Sequence, residues 1–502
     1  MNTTTLATTR TALALAIGLA LVTPASLAAG KGNLDQTTGW MRNHPAKHII
    51  MLVGDGMQLE HEVATSRYLY GRDYALSFHQ LPHETNVTTW DVTTYNKYAG
   101  AVSKPRYNAY DLAANDPILG YDPSRGGALP SPLQPTPDES YFHLPATYAT
   151  DSASAATAWA TGEKTDDGNI AWRTGDPDNG SLTTIAETLR NLKGFAIGVV
   201  STVPFSHATP AAYVSHNKSR NNYQQIAAEI LQTVKPEVVI GGGHPTWTGK
   251  YNYLSMDTYD AVKADASYRV VERVAGQDGA AALRLAAQQT AAQGKKLFGL
   301  FGGKDGNFES PEPSDSPGNP SMDRYEENPL LADAVVATLD VLSKDPDGFF
   351  VMAEQGDIDW ANHANDFSRM VGTTWDLDNA VRAVIDYVNR PGDDIHWDNT
   401  LLIVTSDHGN SYMRLNPEKP LGNGDLPYQV GIGSCGYGGA ACTYPNGEVN
   451  YKTTGHTNEL VRLYAKGRGA ELFRRYEGTL YPGAPIIDNT QIYHVMLKAA
   501  GL

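Results

Sequence analysis

Three acidic residues stand where apolar, β-branched runs stop. Ile49–Val53 leads into Gly54-Asp55-Gly56, Phe349–Ala353 into Glu354, and Leu401–Thr405 into Ser406-Asp407-His408. In open α/β sheets the carboxyl ends of the strands form the ligand crevice. Carboxylates gathered there repel one another and lose hydration, which drives each towards protonation unless a cation lies between them. A single strand-end Asp reads as a helix cap; three acids, one followed by His, point to a divalent metal. Asp359 and His363 in DIDWANH are spaced i, i+4, so on a helix they share a face and can grip one ion. His456 in TTGHTN ends a long loop, and taken alone it reads as structural, as does His244. Mixed His and carboxylate sets suit zinc, whereas Glu354 with hydroxyls and water suits magnesium.

Ser152 in YATDSASAATAWATG is the candidate nucleophile. A strand-like YAT turns through Asp151-Ser152 into an Ala-rich helical segment, so Ser152 falls at a helix N-terminus, where backbone N–H groups and the dipole favour an anion. The plain alternative is that Asp151 or Ser152 only caps the helix. No His is adjacent in sequence, so activation of the hydroxyl requires a metal. Arg220, in HATPAAYVSHNKSR, can fork onto two oxygens of one phosphate, although a lone Arg is ordinarily a solvated surface group.

The elements that must position these residues alternate along the chain. Strand candidates are Ile49–Val53, Ala196–Val200, Val238–Ile240, Leu297–Phe301, Phe349–Ala353 and Leu401–Thr405, all continuous apolar runs of the kind covered on both faces. Helical stripes run through Ile185, Leu189 and Leu192 with Gly194 as the stop, through Leu331, Val335, Leu339 and Leu342, and through Leu377, Val381, Val384 and Val388. This alternation predicts an α/β fold with a large, mostly parallel sheet sandwiched between helices. Two stretches break it, Ser103–Ser140 and Gly409–Gly455, so residues 29–502 read as one domain with insertions near 75–149 and 409–455.

With 502 residues, 41% apolar and 19% charged, the chain can bury a large core and is not of disordered composition. Its net charge of −16 argues against a nucleic-acid-coating surface, which needs many Lys and Arg. Arg10 followed by TALALAIGLALV and PASLAAG reads as a leader over residues 1–28, cleaved after Ala28, so the protein is expected to be exported to the periplasm or the medium. No later stretch is long and apolar enough to imply a membrane anchor. The two cysteines, Cys435 and Cys442, would close a Gly-rich loop as a disulfide; a zinc site is the alternative, with no His beside them to complete it.

Taken together, the segments IIMLVGDGM, TDSASAATAWATGEKT, HATPAAYVSHNKSR, AEQGDIDWANHAND, TLLIVTSDHGN and TGHT resemble the alkaline phosphatase family, in that family's order, from about Lys47 to the C-terminus. The nucleophile segment with the DxxxH and DH pairs is highly specific, whereas GDGM alone would be weak. The resemblance implies phosphate monoester hydrolysis through a phosphoserine, with two zinc ions, one magnesium and an alkaline optimum. It implies Asp359, His363 and His456 on the first zinc, and Asp55, Asp407, His408 and Ser152 on the second. Asp55, Thr209 and Glu354 would hold the magnesium, and Arg220 would clamp the phosphate. Homodimers are common in the family, though members with large insertions differ, so a dimer stays open.

Two positions depart from some bacterial members of that family. His207 stands where those carry Asp near the magnesium, which leaves the third metal's identity open, and Trp360 stands where they carry a phosphate-contacting Lys. The nearest rival is a phosphodiesterase or nuclease of the same superfamily, against which the Arg clamp favours a terminal phosphate. A sulfatase lacks support because no Cys or Ser sits in a C/S-x-P-x-R context. A non-catalytic metal and phosphate binder would need no nucleophile.

Overall fold

The computed structural model describes residues 44–123, 149–249, 252–314, 321–431, 435 and 439–502. The leader expected at residues 1–28, with its cleavage point at Ala28, lies outside the described residues, as does 124–140 of the first long stretch.

Ten strands make one sheet: β1 (His48–Gly54), β2 (His83–Thr88), β3 (Ala196–Pro204), β4 (Val238–Gly242), β5 (Tyr268–Glu272), β6 (Lys296–Leu300), β7 (Phe349–Gln355), β8 (Thr400–Thr405), β9 (Val461–Gly467) and β10 (Ile486–Asp488). Their order across the sheet is β10-β2-β9-β8-β1-β7-β3-β4-β6-β5. Every neighbouring pair is parallel except those of β9, which runs antiparallel to β8 and β2. The sheet is therefore α/β and mostly parallel, and it contains all six strands expected from the apolar runs.

The central strands are buried along their whole length because their alternating side chains feed two cores. Met51 and Val53 of β1 point to one side, while Ile50 and Leu52 point to the other. The helices that matter here are α1 (Leu59–Tyr70), α2 (Ser152–Thr161), α3 (Ile185–Lys193), α4 (Ala208–Val214), α5 (Leu331–Leu342), α6 (Asp357–His363) and α7 (Phe367–Val388). Ala153, Trp159, Ile185 and Ala211 bring α2, α3 and α4 into the first core, and Val63, Leu339 and Val381 bring α1, α5 and α7 into the second. Ile185, Val63, Leu339 and Val381 each contribute roughly 1.5–3 kcal/mol on burial. The expected stripes of α5 and α7 are wholly buried. In α3 only Ile185 and Leu189 are; Leu192, in the last turn, is 65% exposed, so that stripe seals just the first two turns. Gly194 ends α3 with φ +77°, as its position predicted. Among the described residues no helix is long and apolar enough to cross a membrane.

Register then aligns the chemistry. Val53 lies beside Glu354 on one side and Thr405 on the other, so β1, β7 and β8 end level with one another. Ser201 of β3 pairs with Glu354.

Candidate active site

The level strand ends bring Asp55, Glu354, Asp407 and His408 into one buried cluster. Asp55, Asp407 and His408 can each offer an atom within 4.8 Å of the others. His408 Nε2 lies 3.1 Å from Asp407 Oδ2 and 3.5 Å from Asp55 Oδ1. Burial, then repulsion from Asp407, Asp359 and Glu354, pushes the Asp55 carboxyl well above the usual carboxylate range. Burial likewise carries Glu354 to about 7, opposed by hydrogen bonds that include one from Ser201. Asp407 goes the other way: burial raises it, but the neighbouring His408 and the Gly56 amide outweigh that and hold it low. Asp55 Oδ1, Asp407 Oδ2 and Thr209 Oγ1 are buried without a hydrogen bond, although Thr209 stands against the Glu354 carboxylate. Leaving such atoms unsatisfied costs about 1–3 kcal/mol each, more where charged, and a divalent cation among them removes that cost.

A second set lies alongside. Helix α6 places Asp359 and His363 one turn apart, with His363 Nε2 3.2 Å from Asp359 Oδ2. His456 arrives from nearly a hundred residues away through a short antiparallel pairing of Gly409–Asn410 with His456–Thr457, which sets it opposite Asn410. Its Nε2 is 3.3 Å from Asp359 Oδ1. Gly56 makes the close approach of β1 to α6 feasible: its φ is +67°, and a β-carbon there would meet Asp359 Oδ1 at 2.9 Å. Asp359, His408 and His456 also form a ligand-like trio, so His408 belongs to both sets and its ring stacks on His456 at 3.6 Å.

The imidazole orientations decide what this set can hold. His363 Nδ1 faces Thr454 O at 2.6 Å, His456 Nδ1 faces Thr150 O at 2.8 Å, and His408 Nδ1 faces Gly409 O at 3.3 Å. A carbonyl oxygen only accepts, so each Nδ1 donates to it, and each Nε2 is the ring nitrogen left facing the carboxylates of the site. His363 Nε2 and His456 Nε2 then face each other at 3.2 Å. For neutral rings, a cation shared by the two nitrogens would remove the lone-pair repulsion at that separation. Backbone carbonyls that fix the tautomer in this way are the usual support behind metal-ligating histidines. Asn410, a residue the sequence did not single out, donates to Asp359 Oδ1 at 2.6 Å.

Ser152 opens α2, and its Oγ lies 3.2 Å from His408 Nε2. Asp151 is the N-cap: its Oδ1 accepts from the Ser154 amide at 3.0 Å and from the Gly168 amide at 3.1 Å. Its Oδ2 accepts from Arg220 Nη1 at 2.9 Å. Burial alone would raise the Asp151 carboxyl, but Arg220 and the Ser154 bonds outweigh it and hold it at about 2. The cap and the nucleophile position thus coexist, and Asp151 ties Arg220 to the turn carrying Ser152.

His207 and Trp360 face each other with ring centres 6.2 Å apart. Burial and the Arg220 charge push the His207 imidazole down to about 3, so it is neutral. Its ring stacks on Tyr223 and meets Tyr253 edge-on, two aromatics that the sequence reading passed over. Cys435 and Cys442 form a disulfide. His244 caps a short helix by accepting from the Thr246 amide, a structural role.

Comparison with known proteins identifies the family. The family model described as alkaline phosphatase matches residues 138–423. The chain is 28% identical to the alkaline phosphatase of Escherichia fergusonii over 492 residues, which span 92% of this chain and 87% of that protein. It is 31% identical to alkaline phosphatase H of Pseudomonas aeruginosa over 304 residues, or 54% of this chain and 60% of that one. The fold superposes on the alkaline phosphatase of Thermus thermophilus with a TM-score of 0.59 at 21% identity, covering 93% of this chain and 95% of that chain. With the alkaline phosphatase of the Antarctic bacterium TAB5 the TM-score is 0.58 at 21% identity, covering 91% and 98%. The chain belongs to the alkaline phosphatase family and is a hydrolase of phosphate monoesters.

Proposed function

We propose that the chain hydrolyses phosphate monoesters through a phosphoserine on Ser152, with two zinc ions and one magnesium and an alkaline optimum. The observation that carries this reading is the contact of Ser152 Oγ with His408 Nε2, because His408 is the residue common to both ligand sets. Asp359, His363 and His456 would hold one zinc, and Asp55, Asp407, His408 and Ser152 the other. Asp55, Thr209 and Glu354 would hold the magnesium. An aspartate variant of the TAB5 enzyme has magnesium bound in its M3 site. In this chain His207 stands among aromatic rings, and magnesium remains the third ion of the proposal. When bound, the cations supply Lewis acidity, lowering the pKa of the serine hydroxyl and of water towards the alkaline range and neutralising charge on the departing oxygen.

The chain's own groups do the positioning. Arg220 forks onto two phosphoryl oxygens while Asp151 keeps its guanidinium beside the nucleophile. The first turn of α2 offers backbone N–H groups to the same anion. Ser152 Oγ bonds to phosphorus as the ester P–O bond breaks, and the alcohol leaves on the Asp359, His363 and His456 side. Water then enters from that vacated side, breaks the Ser152 O–P bond and releases inorganic phosphate. Residues 1–28 would act as an export leader, and 29–502 as one domain with insertions.

Two assays test this. The chain should hydrolyse p-nitrophenyl phosphate and leave bis-p-nitrophenyl phosphate nearly untouched, whereas a diesterase would reverse that order. Ser152→Ala should lose most turnover, on the order of a thousandfold or more. Turnover within tenfold of wild type would contradict the covalent route.

A further inference from the structure

Beside Arg220, four rings form a continuous aromatic surface. Tyr223 lies parallel to His207, with centres 5.5 Å apart and planes 8° apart. Tyr253 meets Tyr223 edge-on at 5.1 Å and His207 at 6.4 Å. Trp360 completes the row at 6.2 Å from His207. All four residues are half-buried. Tyr223 is also close enough to Arg220 to act on its charge, which puts one end of the row at the phosphate clamp. The other end is Trp360, next in sequence to Asp359 on α6.

The row is built stiffly. Ser206, adjacent to His207, donates through Oγ to Tyr253 O at 2.9 Å. The Tyr253 ring lies against Gly306, where a β-carbon would come within 2.9 Å of it. Rings held this way present fixed faces and edges to whatever is attached to the phosphoryl group. A flat aromatic group gains offset or edge-to-face contact there, while an alkyl chain of equal reactivity gains only area.

We infer that His207, Tyr223, Tyr253 and Trp360 form a specificity wall that favours phosphate monoesters whose alcohol carries a flat aromatic group. This rests on the hydrolytic reading above and adds the class of leaving group. The aromatic group could be a simple aryl ring near the ester oxygen or a nucleobase held beyond a ribose, and the substrates below separate the two.

The test compares 2-phenylethyl phosphate, AMP and butyl phosphate, all with alkoxide leaving groups. Wild type should show kcat/KM about five- to tenfold higher for 2-phenylethyl phosphate or for AMP than for butyl phosphate. An advantage for the first alone assigns a short aryl group, and for AMP alone a nucleobase. In Tyr253→Leu and in Tyr253→Ala that advantage should shrink to within about twofold, with butyl phosphate unchanged. Inhibition of wild type by phenylphosphonate should also be tighter than by methylphosphonate, a readout that needs no variant. Equal kcat/KM for all three esters, or variants that slow butyl phosphate as much as the aromatic esters, would overturn the wall while leaving the phosphatase reading intact. No hydrolysis of any of the three would sink the phosphatase reading itself.

Discussion

Arg220 donates from Nη1 to Asp151 Oδ2 at 2.9 Å, and Asp151 is also the N-cap of the helix that begins with Ser152. One carboxylate therefore fixes both the nucleophile's turn and the phosphate clamp. Asp151→Ala should weaken phosphate inhibition and raise KM several-fold, because the guanidinium loses its tether. Loss of the cap should also cost about 1 kcal/mol of stability. Unchanged inhibition by phosphate together with an unchanged melting temperature would contradict both roles.

Asn410 holds Asp359 through a 2.6 Å hydrogen bond from its side-chain amide. Partners of this kind orient a ligand, and their removal costs roughly 10–100-fold in metal affinity. Asn410→Ala should therefore lose zinc to a chelator faster than wild type, with the first ion released selectively. Identical release kinetics would show that Asp359 needs no such support.

Trp360 sits one residue after Asp359, on the face shared with His207. Trp360→Lys brings a cation to the phosphate's surroundings. A charged hydrogen bond is worth about 1.5–3 kcal/mol, so product phosphate should inhibit on the order of tenfold more tightly, and turnover should slow as release does. An unchanged inhibition constant would rule out this account of the tryptophan.

His216 lies between two glutamates, with Nδ1 2.9 Å from Glu229 Oε1 and Nε2 3.4 Å from Glu187 Oε2. Burial lowers its pKa, but the two carboxylates outweigh this and raise it to about 9. A raised folded-state pKa contributes stability that is complete below the unfolded value near 6.5 and is lost as pH climbs through about 9. Stability should thus fall by about 1–3 kcal/mol between pH 6.5 and 9.5, and His216→Gln should flatten that slope. Parallel pH dependence of wild type and His216→Gln would contradict the pairing.

What could be read from the amino acids followed from burial. β1, β7 and β8 are covered on both faces, so their apolar runs stand out, and the acids ending them stand out in turn. β2 (HETNVT) and β10 (IID) lie at one edge of the sheet, β5 (YRVVE) at the other, and all three are too polar or too short to show a pattern. The i, i+4 spacing of Asp359 and His363 is local and therefore legible on a helix. His456 is not, because only its pairing opposite Asn410 carries it to the site; the family resemblance named it where spacing could not. Asn410 and Tyr253 act through neighbours distant in sequence, and no periodicity marks such contacts. Leu192 shows the converse, an apolar residue in register with a buried stripe that ends in solvent.

The central claim is that inward-facing imidazoles and crowded carboxylates cage divalent cations against Ser152. Elemental analysis of purified, active protein, followed in parallel with activity during chelation, tests it most directly. The account predicts about two zinc ions and one further divalent ion per chain, with phosphatase activity falling in step with their removal and returning on their replacement. Full activity in protein holding less than about a tenth of an ion per chain would contradict it.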